Sequence, residues 1–164
     1  MNRLLDMAGA VGDALKNRGQ TIAVCESSAG GLIAAALVAV PGCSAYFLGG
    51  SVIYTLAARR AVLGISDQDM QGLRASTEDY ALLCARTQRK LLNSNWALAE
   101  TGASGPAGNP YGDPPGHACF AVSGPVEYSL TIATEHNRRE DNMWEFAGAA
   151  LQLLEECLAK DNRA

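Results

Sequence analysis

The run Thr21-Ile22-Ala23-Val24-Cys25-Glu26-Ser27-Ser28-Ala29-Gly30-Gly31 constrains this chain more than any other part of it. Its first half is short, apolar and β-branched, which reads as one buried strand. Its second half is a loop rich in hydroxyls and glycine. An alanine-rich apolar run from Gly31 to Ala39 follows and reads as a helix. Strand, loop and helix in that order form the unit of an α/β domain, where ligands bind beyond the carboxyl ends of strands. Glycines let the backbone approach a ligand closely. The start of a helix offers unpaired N–H groups suited to a phosphate or a developing oxyanion. Ser27 and Ser28 stand at that point, as nucleophile, as phosphate donor or simply as a helix cap. The loop is not a P-loop, a dinucleotide fingerprint or a nucleophile elbow, because none of those glycine spacings occurs in it.

The rest of the chain repeats the alternation. Leu4, Ala8, Val11 and Leu15 recur at helical spacing, with Gly19 as a stop. Tyr46 to Tyr54 reads as a second strand with a bulge at Gly49-Gly50, and Leu56 to Leu63 as a short helix ending near Gly64. Ser66 and Asp67 are suited to cap another short helix. Ser76 to Asp79 looks like the start of a longer one, whose face carries Tyr80, Leu83, Cys84, Thr87 and Leu91. Trp96 to Glu100 is the third strand. His117 to Val122 and Val126 to Ala133 read as a hairpin turning at Ser123-Gly124-Pro125, and Arg139 to Leu158 as the last helix. The expectation is one domain over residues 1–164, a three-layer α/β/α sandwich on a mixed sheet. Between the third strand and the hairpin, Thr101 to Gly116 holds five glycines and four prolines. A loop that long in a compact domain is more often functional than idle, although a plain surface excursion remains the alternative.

Charge and cysteine usage exclude several classes. A net charge of -4 with scattered basic residues argues against nucleic acid or an anionic membrane as partner. The five cysteines are widely spaced and form no C-x-x-C, so neither a disulfide framework nor a metal site is expected, and no cofactor is implied. They read as small buried residues in a reducing cytoplasm. Met1 to Asp6 shows no signal peptide, and Leu32 to Val40 is too short to cross a bilayer. The carboxylate pairs Asp67-Asp69 and Glu155-Glu156 read as helix-surface charge, and His136 as a solvated turn residue.

Five segments, in order, resemble the CinA carboxy-terminal (nicotinamide-nucleotide amidase) family. Thr21 to Gly31 is similar to the family strand and its E-S-x-T-G-G loop. Val40-Pro41-Gly42-Cys43-Ser44-Ala45-Tyr46-Phe47 resembles P-G-S-S-x-x-F, and Gly50 to Tyr54 resembles the start of G-x-V-x-Y-S-N. Thr101 to Pro106 resembles S-G-I-A-G-P, and Pro115-Gly116 the later P-V-G turn. The resemblance implies hydrolysis of nicotinamide mononucleotide to nicotinate mononucleotide and ammonia, by a serine activated by lysine and without metal. It further implies a small-molecule nucleotide substrate and a homodimer. On this reading Ser27 is the nucleophile, Tyr54 orients it and Arg59 holds charge or substrate. Glu26, Ser28, Gly30, Gly31, Thr101, Gly102 and Gly105 line the pocket, and Arg139 binds the phosphate.

The departures fall on the site. Arg59 stands where the family has its lysine, and arginine stays protonated, so it cannot take the serine proton. Ala29 replaces a threonine and Leu56 an asparagine. The lysines present, Lys16, Lys90 and Lys160, lie on helices read as solvated. His117 is a substitute base if the second loop folds over Ser27; otherwise it is a satisfied strand histidine. Two function classes therefore stand: an amidohydrolase, or a catalytically silent relative that binds a nucleotide or another protein.

Overall fold

The computed structural model describes residues 2–161; Met1 and residues 162–164 of the expected domain lie outside the described residues. Helix α1 (Asn2–Arg18) leads into strand β1 (Ile22–Glu26), every residue of which is buried. Such a strand must be covered on both faces, and it lies inside a five-stranded sheet of order β2-β1-β3-β4-β5. Strands β2 (Phe47–Val52) and β3 (Trp96–Gly102) run parallel to β1 on either side. Strands β4 (His117–Ser123) and β5 (Tyr128–Ala133) complete the sheet antiparallel. The sheet is therefore mixed, as the sequence suggests.

Helices cover both faces. One side carries α1, α2 (Leu32–Val38) and α5 (Arg139–Lys160), which with Ile22, Val24, Leu98 and Phe120 form the larger core. On the other side α4 (Glu78–Leu92) packs Tyr80, Ala81, Cys84 and Ala85 on Cys25, Ala97, Ala99, Cys119 and Ala121. The two sets alternate along each strand with the period of two that a pleated sheet imposes. Four of the five cysteines are buried and all are free thiols, in line with the expected packing role.

Two local expectations need correction. No helix follows Ser66 and Asp67; Ser66 closes a turn with Asp69, donating its N–H and hydroxyl to the Asp69 carboxylate. The extra residue in β2 is Leu48, one place before the glycines, because Ile22 pairs with Phe47 and Ala23 with Gly49. The expected helix at 56–63 forms as one turn, α3 (Leu56–Ala58), running into a wider π-type turn over Arg59–Leu63 and ending at Gly64.

Strand order places the site. The connection leaving β1 leads to β2 on one side, and the connection leaving β3 leads to β4 on the other. Crevices open beyond the carboxyl ends of strands where connections diverge in this way. The loops at this crevice are 27–31 and 103–116, the two singled out from the sequence. Among the described residues no helix is long and apolar enough to cross a membrane.

Candidate active site

A cavity of about 520 Å³ lies in the crevice, within the size range of small-molecule sites. Its walls include Ser27 and Ser28 after β1, Tyr54 and Arg59 after β2, Thr101 to Tyr111 after β3, and Arg139 from the start of α5. Ser27, Ser28, Tyr54, Arg59, Thr101, Gly102, Gly105 and Arg139 are thus brought together. Glu26, Gly30 and Gly31 are not among the lining residues.

Glu26 is turned into the protein. It is buried, and its carboxylate accepts the N–H groups of Gly31 (2.9 Å), Ile33 (3.0 Å) and Ala34 (2.8 Å). It therefore caps α2 from the preceding strand, satisfying donors that a helix start leaves unpaired. Gly31 stands at the cap position with φ of 100°, which side-chain-bearing residues rarely adopt. Burial pushes the Glu26 carboxyl above its ordinary range despite these bonds.

A second buried carboxylate, Glu100 two residues before the end of β3, holds the serine loop. Its Oε2 accepts the N–H of Ser27 (2.9 Å) and of Ala29 (2.8 Å), and its Oε1 accepts the Ser28 hydroxyl. Desolvation raises the Glu100 pKa, and the hydrogen bonds from the loop oppose the rise. In the sequence Glu100 stands only as the last residue of the expected strand Trp96 to Glu100. The available signal was a carboxylate closing an otherwise apolar buried run, a placement that requires partners.

These two carboxylates overturn one expectation. The loop was to offer free N–H groups to an oxyanion or a phosphate. Instead, Ser27 and Ala29 donate to Glu100, and Gly31, Ile33 and Ala34 to Glu26. Gly30 N–H bonds the Ser27 carbonyl and Leu32 N–H the Ala29 carbonyl. The positive end of α2 is occupied by the protein's own carboxylates.

After β2, Arg59 is buried and ion-paired to Asp67, which also holds Arg60. Asp67 is thus a partner for two guanidinium groups, and these bonds hold its carboxyl below the usual range. Arg59 Nε has no hydrogen-bond partner, and neither has the buried Ser104 hydroxyl; both residues line the cavity. A buried donor left unpaired costs about 1–3 kcal/mol. Arg139 crosses the rim, donating to the Gly105 carbonyl (2.6 Å) and to the Tyr54 hydroxyl (2.9 Å). Beside it Asn142, fully buried, donates to the carbonyls of Ser104 (2.8 Å) and His136 (3.1 Å). Helix α5 thereby fixes the far wall.

Neither histidine is among the residues lining the cavity. The His117 ring contacts the Ser76 carbonyl (Nε2, 2.9 Å) and faces Asp113 at 3.8 Å. A ring nitrogen bonded to a carbonyl oxygen is a donor, so His117 is a satisfied strand histidine. His136, read as solvated, is half-buried and pairs with Glu145 at 3.0 Å. The second loop is pinned to the start of α4 by Arg74, which donates to both oxygens of Asp113 (2.6 and 3.1 Å).

With this geometry in place, the relatives become informative. The family model described as CinA C-terminal domain matches residues 4–158. A "CinA-like protein" of Prochlorococcus marinus is 39% identical over 119 residues, 73% of this chain and 28% of that protein. A "CinA-like protein" of Gloeobacter violaceus is 40% identical over 121 residues, 74% of this chain and 28% of that protein. The aligned part of the chain spans well under a third of the length of these relatives. A solved CinA superfamily protein from Klebsiella pneumoniae superposes with a TM-score of 0.89 at 26% identity, covering 95% of this chain and 98% of the other. The competence/damage-inducible protein CihA from Agrobacterium tumefaciens gives 0.88 at 26% identity, with 96% of each chain covered.

Proposed function

The chain belongs to the CinA C-terminal domain family, and from that premise we propose that it is an amidohydrolase of the nicotinamide-nucleotide type. The reaction takes nicotinamide mononucleotide and water to nicotinate mononucleotide and ammonia. The observation that carries this reading is the crevice itself, which Ser27, Ser28, Arg59 and the rim arginine Arg139 line together. A serine hydroxyl attacks the carboxamide carbon, and the charge that develops on its oxygen needs a donor. The loop N–H groups are engaged, so the fixed positive charge of Arg59 on the cavity wall takes that part. Arg139 uses two of its five N–H donors within the protein and turns others to the nucleotide phosphate. Tyr54, bonded to Arg139, places that guanidinium at the rim. Neither metal nor cofactor enters this scheme. We also propose that two copies pair through the exposed apolar residues on and just beyond edge strand β2, Leu48, Val52, Leu56 and Val62. Light scattering that shows only monomer at micromolar concentration rejects that pairing.

One observation favours a second reading. Arg59 occupies the position of the family lysine as a permanently charged, ion-paired group, and a pocket without a base binds but does not turn over. Calorimetric titration with nicotinamide mononucleotide, followed by ammonia assays of the parent and of Arg59→Lys, separates the two. Binding with turnover by the parent supports the amidase. Binding without turnover, with activity gained in Arg59→Lys, supports the silent relative. No binding by either protein rejects the nucleotide altogether.

A further inference from the structure

We propose that Ser28 is the nucleophile of this site and that Glu100 is its general base. The inference rests on the amide-hydrolysing reading above and supplies the proton acceptor which that reading lacks. A candidate base must lie within hydrogen-bond reach of the proton it removes. Glu100 Oε1 already accepts the Ser28 hydroxyl, while the Ser27 hydroxyl has no partner among the described residues. Ser28 lines the cavity although it is almost wholly buried, which keeps the pair in a nearly dry setting. Glu100 cannot swing away, because Ser27 and Ala29 hold its other oxygen. Nucleophile, base and a fixed orientation of the base are the three parts of an activated serine.

Ser28 Oγ forms a bond to the carboxamide carbon and its proton passes to Glu100. The tetrahedral intermediate then breaks its C–N bond; the leaving nitrogen takes the proton from Glu100 and departs as ammonia. Water attacks the resulting Ser28 ester and gives a proton to Glu100. The ester C–O bond breaks, the proton returns to Ser28 Oγ, and the carboxylic acid is released. The titratable groups that act on Glu100 electrostatically are Glu26 and Cys25, both on β1. Its partner on β4 is Phe120, and α5 contributes Phe146 against that ring, neither of them ionisable.

A fluorophosphonate tests the pair without relying on any substrate. Attack by an activated serine displaces fluoride from phosphorus, and fragmentation of the labelled peptide distinguishes Ser28 from Ser27. The expected result is a label on Ser28, with a labelling rate that rises with pH through one acidic step above the ordinary glutamate range. Glu100→Gln should slow labelling at least about 100-fold. Since that variant removes an acceptor from a buried loop, the pH profile of the parent provides the measurement that does not depend on its folding. A label on Ser27, no label, or a rate flat across that pH range overturns the proposal. A labelled Ser28 in a protein that releases no ammonia from nicotinamide mononucleotide rejects the substrate and leaves the serine–carboxylate pair standing.

Discussion

Glu26→Ala separates a structural carboxylate from a ligand-binding one. The substitution removes the acceptor for three N–H groups at the start of α2. Ile33 is fully buried, so its N–H loses its partner without access to water, at about 1–3 kcal/mol. Gly31 and Ala34 are half-buried, and losing a cap on such donors costs roughly 0.5–1 kcal/mol each. Release of a desolvated charge offsets part of this, leaving a net loss of about 2–4 kcal/mol. For a chain of this length the melting temperature should fall by roughly 5–12 °C. Urea unfolding followed by circular dichroism measures the loss, and amide exchange at Ile33 and Ala34 locates it. Parental stability together with lost nucleotide binding would refute the reasoning, since Glu26 would then be facing the ligand rather than the helix.

Other outcomes follow from the same contacts. Burial raises the Glu26 pKa, so its contribution is fullest below the ordinary carboxylate range and declines as pH rises through the raised value; the stability gap between parent and Glu26→Ala should narrow as pH rises above the ordinary carboxylate range in urea titrations. A Cβ on Gly102 would lie 2.4 Å from the His117 carbonyl oxygen, so Gly102→Ala should cost about 2–3 kcal/mol by overpacking between β3 and β4, read in the same unfolding assay. The Arg74 guanidinium holds the Asp113 carboxyl below its usual range; the clamp on the 103–116 loop is complete above that range and fails as pH falls through the lowered value, so limited proteolysis there should speed up in acid, and in Arg74→Ala at neutral pH.

Much of the fold was legible because its signals are local. The buried run at Ile22–Glu26, the period-two hairpin and the stripe on α5 each follow from side-chain spacing within one element. The site was legible in position but not in wiring. Glycine and hydroxyl content pointed to both loops, and strand order brought them together. That Glu26 and Glu100 occupy the N–H groups of the first loop depends on contacts spanning five to 73 residues, which no local pattern encodes. Reading Glu26 as a ligand contact was natural from its place beside Ser27; its direction follows from strand alternation, which puts it on the same face as Val24 and under α2. Arg59 shows the opposite case, since its residue type alone established that it is no base. Its pairing with Asp67 lies eight residues away, beyond the π-type turn over Arg59–Leu63.

The most direct test of the account is ammonia release from nicotinamide mononucleotide by the parent protein, with the product identified by mass. Equal amounts of ammonia and nicotinate mononucleotide, formed without added metal, are the predicted result. Unchanged substrate after prolonged incubation with folded protein would contradict it and would leave the crevice as a binding site alone.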